Sequence, residues 1–177
     1  MNLNDTHIIN EVEEIKSEAI LTLSKLINLY GLSLSESRLF SIIFLENNPL
    51  TLDDMSQSLG MSKTSMSTGI RSLLDAEMVE KTWKKGIRKD LYTAEESLYK
   101  TFSNTFVHQW LSVVHNHIKI FNEISKNLNM LLPQFEDPEL QNSLTKYLQK
   151  IDRIIDFYQW LNETFKQLQE KIEDLEG

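Results

Sequence analysis

From Leu140 onward the apolar residues fall at Leu140, Leu144, Tyr147, Ile151, Ile154, Tyr158, Leu161, Phe165, Leu168, Ile172 and Leu175, an unbroken alternation of steps of four and three. This spacing keeps one stripe on one side of an α-helix for about five heptads, and so regular a stripe is a seam against another helix. A second run precedes it. Between Ala94 and Leu132 there is no Gly or Pro, and Leu98, Phe102, Phe106, Trp110, Val113, His117, Ile120, Ile124, Leu128 and Leu131 keep helical spacing. A helix starting at Glu95 would be about 57 Å long. Pro133 and Pro138 bracket an acidic turn between the two runs. A long antiparallel pair beside a small domain exposes more seam than one chain can cover, so a homodimer is expected.

The first half of the chain has shorter periods. Ile8, Val12, Ile15, Ala19, Leu23, Leu26 and Tyr30 mark an amphipathic helix that stops near Gly31. Ser33 and Glu36 have capping-box spacing, and the run Leu39, Phe40, Ile42, Ile43, Phe44, Leu45 is apolar nearly all round, which predicts a buried helix. Thr51 and Asp54 repeat the capping spacing before a short helix that Gly60 can end, and Ser62 can cap the next. In that next helix Met66, Ile70, Leu73 and Leu74 form one face, with Thr64, Ser67, Thr68 and Arg71 opposite. Two short helices joined by a Gly-containing turn read as a helix-turn-helix. Val79, Thr82, Trp83, Ile87, Leu91 and Tyr92 then suggest two short strands around a turn at Lys84, Lys85 and Gly86.

Charge separates these pieces. The net charge is −8, yet residues 61–92 carry 7 basic and 4 acidic side chains, while residues 1–60 carry 3 and 9. The one basic segment coincides with the helix-turn-helix and its hairpin. Ser62, Lys63, Thr64, Ser65, Ser67 and Thr68 can meet DNA phosphates at a helix N-terminus, and Arg71 can reach a base edge or phosphate in the major groove. Lys84, Lys85 and Arg88 would touch the backbone or enter a minor groove. The plainer alternative is a winged-helix adaptor that binds protein and whose Ser and Thr are merely solvated.

The strings GMSKTSMSTGIRSLLD (Gly60–Asp75) and VEKTWKKGIRKDLY (Val79–Tyr92), with NPLTLDDM (Asn48–Met55) and FYQWL (Phe157–Leu161), closely resemble the GbsR-type group of MarR-like winged-helix repressors. The resemblance implies a dimeric transcriptional repressor that senses choline and controls choline uptake and glycine betaine synthesis genes. A quaternary ammonium has no N–H to donate, so its recognition rests on aromatic faces. Trp110, Tyr158 and Trp160 are the first candidates for such a cage, with Phe106 and Phe44 next. The bland reading of any ring at helical spacing is core.

Other chemistries find little support. The absence of cysteine excludes disulfides, thiolate metal sites and cysteine nucleophiles. His108, His115 and His117 do not share a helix face at ligand spacing, and Gly-rich phosphate loops and nucleophile elbows are missing. Neither an enzyme nor a cofactor is expected. No run approaches a membrane span and no signal peptide is evident, so the expected location is the cytoplasm, without a membrane partner. The expected fold is mainly α: an N-terminal dimerisation helix (1–30), a winged helix-turn-helix domain with a small β-hairpin (31–93), and two long helices for dimerisation and effector binding (94–177). The expected partners are a double-stranded DNA operator, a small-molecule effector (choline or glycine betaine) and a second copy of the chain.

Overall fold

The computed structural model describes the backbone of residues 3–176 and the side chains of residues 6–176. The first two residues of the expected N-terminal segment and the last of the C-terminal one lie outside the described residues. Packing divides the chain into two units, 1–105 and 106–177.

In the first unit, α1 (Leu3–Asn28) is followed by α2 (Leu34–Leu45), α3 (Leu52–Leu59), α4 (Lys63–Asp75), the strands β1 (Val79–Thr82) and β2 (Leu91–Ala94), and α5 (Leu98–Phe102). The capping signals are all used. Ser33 with Glu36 and Thr51 with Asp54 form complete capping boxes, and Gly60 closes α3 at φ 63°. These side chains satisfy backbone N–H groups that a helix start leaves without partners. The centre of the unit is α2, which packs on α1, α3, α4 and β2. Leu39 and Phe40 are fully buried there, beside Met55, Met66, Leu73 and Met78 from the later elements. Two hydroxyls buried on the same helix bond back to its own carbonyls, Ser37 Oγ to Ser33 O at 2.9 Å and Ser41 Oγ to Ser37 O at 2.7 Å, so neither is left unsatisfied. Gly69 lets α4 approach α2 closely, since a Cβ there would stand 3.0 Å from Leu39 Cδ2.

The hairpin is antiparallel, with Val79 opposite Ala94 and Thr82 opposite Leu91. Leu50 adds a short third rung, exchanging both backbone hydrogen bonds with Tyr92 at 2.9 Å. The strands are shorter than the apolar alternation suggests. Trp83 and Ile87 lie in the eight-residue connection, where Gly86 adopts φ 91°. The helix expected from Glu95 begins at Leu98, because Ser97 caps it by accepting from Lys100 N. It is also not a uniform α-helix: a π-helical turn, Ser103–Val107, interrupts it, and the boundary between units falls inside that turn.

The second unit is a pair of helices, α6 (His108–Leu131) and α7 (Pro138–Glu176), joined through a 3-10 turn at Leu132–Gln134. Its cross-contacts run in opposite order along the two helices. Trp110 meets Phe165, His117 meets Tyr158, and Ser125 meets Asp152, which makes the pair antiparallel. Ile151, Ile155 and Ile172 of α7 are buried, as is Val114 of α6. The ends of the 4-3 stripe are not covered within this chain: Leu140 and Leu175 are 40% and 66% exposed. Among the described residues no helix is long and apolar enough to cross a membrane.

Candidate nucleic-acid interface

Helix α4 has two unlike sides. Met66, Gly69, Ile70 and Leu73 are buried, whereas Lys63, Thr64, Thr68 and Arg71 are exposed, the last three at steps of four and three that align them on one face. Ser62 stands at the N-cap, accepting from Ser65 N at 3.3 Å and meeting Ser65 Oγ at 3.0 Å. Thr68 Oγ1 donates to Thr64 O at 3.1 Å. Ser67 is only partly exposed, turned between the two sides.

The wing carries Lys84, Lys85 and Arg88 exposed in the loop between β1 and β2, with a turn closed by Ile87 N donating to Lys84 O at 3.1 Å. Its other cations are occupied. Lys81 pairs with Asp90 at 2.7 Å, and Lys89 reaches Asp53 of α3 at 2.6 Å. The other oxygen of Asp53 takes the ammonium of Lys63. One carboxylate therefore ties the start of α4 to the wing, and Lys89 lies 36 residues along the chain from Asp53. From sequence Lys63 reads as a phosphate ligand and Asp53 as an acid at a helix start, since nothing local marks a bridge between residues so far apart.

Both lysines act on the acid. Hydrogen bonding from Lys63 first, and then from Lys89, lowers the Asp53 pKa from 3.8 to about 2. The folded value lies below the unfolded one, so the bridge's contribution is present above about pH 4 and is lost as the pH falls through about 2. Lys89→Ala should move the Asp53 midpoint back toward 3.8 in an NMR titration of the carboxyl carbon. An unchanged midpoint would mean that Lys89 does not hold this acid in solution.

The candidate effector rings lie in separate groups. Trp110 stacks on Phe165 at 5.5 Å and 14°, with Phe106 6.0 Å from both. Two helical turns along α7, Tyr158 meets Phe121 at 5.9 Å and His117 edge-on at 5.2 Å, its hydroxyl 2.9 Å from His117 Nδ1. Trp160 is 57% exposed and stacks on Phe157. Phe44 belongs to the first unit, where its ring meets Phe40 at 5.6 Å. Trp110, Tyr158 and Trp160 are thus not gathered round one point. Phe165 and Phe121, absent from the sequence-based candidates, supply the ring partners: Phe165 takes a seam position that reads as ordinary core, and Phe121 stands beside the run at Ile120. Among the described residues no cluster of His, Asp and Glu could hold a metal ion.

Comparison with known proteins bears on both units. Residues 98–172 match the family described as GbsR family transcriptional regulator, C-terminal helical hairpin. YvaV of Bacillus subtilis (strain 168) is 31% identical over 151 residues, covering 85% of each chain. The HTH-type transcriptional repressor OpcR of the same organism is 30% identical over 152 residues, 85% of this chain and 82% of that one. The HTH-type transcriptional repressor GbsR, also from that organism, is 29% identical over 159 residues, 89% and 88% of the two chains.

Proposed function

Because this chain belongs to the GbsR family of transcriptional regulators, we propose that it is a dimeric repressor that binds an operator through α4 and the wing and releases it when a quaternary ammonium compound, choline or glycine betaine, binds the helical hairpin. The observation that carries the DNA-binding reading is electrostatic. In a chain of net charge −8, Arg71 on the open face of α4 and Lys84, Lys85 and Arg88 on the wing are exposed together in one small unit. Backbone amides and hydroxyls at the α4 N-terminus supply further phosphate contacts that fix register, while Arg71 reaches a base edge or phosphate in the major groove.

A second copy is supported by apolar surface. Ile8, Ile9, Val12 and Ile15 of α1 are 43–61% exposed, as are Phe157 and Trp160 of α7 at 54% and 57%. Surface of that kind marks a protein interface. Two-fold symmetry then requires a pseudo-palindromic operator with half-sites about 10 bp apart or a multiple of that. The effector reading follows from the rings of the hairpin. Trp110 with Phe106 and Phe165 puts three rings in one place, and cation–π attraction of about 0.5 to 2 kcal/mol per ring supplies roughly 1.5 to 6 kcal/mol, to which apolar contact with the ligand's methyl groups adds.

A gel shift on the promoter upstream of its own gene, with and without choline or glycine betaine, tests the whole reading. Duplex binding should appear at modest salt, and effector should weaken it roughly 5- to 150-fold through a coupling of about 1 to 3 kcal/mol. Arg71→Ala should lose about 1 to 3 kcal/mol of operator affinity. Binding that is absent in the unaltered protein would leave the adaptor reading standing. Binding that neither ligand weakens would remove the effector while keeping the repressor.

A further inference from the structure

Trp83 is 76% exposed, the largest exposure among the exposed large hydrophobic side chains of the described residues. It sits at the start of the wing loop, and Ile87 in the same loop is 38% exposed. The two residues share an open depression of about 540 Å³ with Thr82, Arg88, Lys89 and the ion pair Lys81–Asp90. An indole held in water by a turn closed at Lys84 and Ile87 contributes nothing to the core, so its place calls for a partner from outside the unit.

The surrounding charge says what kind of partner. The wing cations divide into two sets: Lys81 and Lys89 are neutralised by Asp90 and Asp53, while Lys84, Lys85 and Arg88 have no acidic partner among the described residues. The free set flanks Trp83 and Ile87 in the sequence of the loop. An apolar pair carried on the same loop as three free cations complements a polyanion with an apolar interior. Duplex DNA has that form, with two rows of phosphate bordering a groove walled by sugars and floored by base edges. The same surface is continuous with the face of α4, because Asp53 holds Lys89 of the wing and Lys63 at the start of α4.

We propose that Trp83, supported by Ile87, is an apolar wedge that enters the minor groove beside the site contacted by α4, packing on deoxyribose and on the edge of a base step. This rests on the DNA-binding reading and goes beyond it, since it assigns affinity to a contact that is not ionic. Lys84, Lys85 and Arg88 would bring the wing to the groove by charge, and Trp83 would hold it there by apolar contact that salt does not screen.

The experiment measures the affinity of the full chain for its promoter duplex across a salt series, for the unaltered protein and for Trp83→Ala, Trp83→Phe and Lys85→Ala. Trp83→Ala should weaken binding about 5- to 100-fold at every salt concentration with the log–log slope unchanged. Trp83→Phe, which keeps a ring, should stay within about threefold of the unaltered protein. Lys85→Ala should instead make the slope shallower. Thermal unfolding of Trp83→Ala should match the unaltered protein, because the side chain is exposed. Full affinity in Trp83→Ala overturns the wedge and leaves the DNA reading in place. So does a loss that comes with a changed slope, or one that Trp83→Phe shares. Failure of the unaltered protein to bind duplex at any salt concentration removes both.

Discussion

Ile151→Asp should melt the helical hairpin. Ile151 is 4% exposed on the α7 seam. The substitution removes a packed aliphatic side chain and asks a carboxyl to leave water. The cost is on the order of 3 to 5 kcal/mol, a large share of the 5 to 15 kcal/mol that keeps a typical domain folded. Far-UV circular dichroism should show a markedly lower unfolding temperature or loss of helix at 25 °C. Ile15→Asp makes the useful contrast. Ile15 is 61% exposed on α1, so the change should leave the fold of one chain within about 0.5 kcal/mol. If α1 lies in the dimer interface, the same change should yield folded monomer in sedimentation velocity. A dimer that survives Ile15→Asp excludes α1 from the interface, and a monomer from the unaltered protein at micromolar concentration refutes dimerisation altogether.

The contrast between those two isoleucines also marks how far sequence periodicity reaches. Steps of four and three identify the helix pair, because burial on one helix side is a local property of spacing. They do not tell which partner covers each residue. Ile151 of the stripe is buried, Leu140 and Leu175 at its ends are open, and Ile155, off the stripe, is only 8% exposed. The π-helical turn at Ser103–Val107 is not legible, since the run from Leu98 to Leu131 keeps the spacing of one unbroken helix.

Caps were easier to read than strands. Ser33, Thr51, Gly60 and Ser62 each act within three residues of their own position, so local sequence suffices to place them. Trp83 and Ile87 look like strand residues for the reason that makes them informative in the structure: they are apolar without being core. Lys63 looks like a phosphate ligand because it begins a helix, and only the folded chain brings Asp53 and Lys89 to it. The candidate effector rings are the least legible, since Trp110 and Tyr158 pack against Phe165 and Phe121 within the hairpin itself.

The pairing of Lys63 and Lys89 fixes what a salt series should give. Residues 61–92 hold 7 basic side chains. Three of these, Lys63, Lys81 and Lys89, are bonded to acids, which leaves Arg71, Lys84, Lys85 and Arg88 for phosphate or base contact. Four in each protomer make eight in a dimer, and at about 0.9 per contact the plot of log affinity against log salt should fall with a slope of roughly −7. Between 50 and 200 mM salt the affinity should then drop about 10⁴-fold. Asp53→Asn tests the count from the other side. It releases Lys63 and Lys89 without touching the buried core, and exposed ion pairs contribute little to stability, so the fold should survive. Four further cations in the dimer should steepen the slope to about −11 and raise affinity for random-sequence duplex at low salt. Affinity for the operator should rise less than affinity for random duplex, because the added contacts are to phosphate, and phosphate is the same in every sequence. Asp53 would in that case improve discrimination by keeping two lysines from the backbone. A slope already near −11 in the unaltered protein would mean that DNA displaces Asp53 from both lysines. A slope shallower than about −3 would mean that the wing cations do not reach phosphate at all.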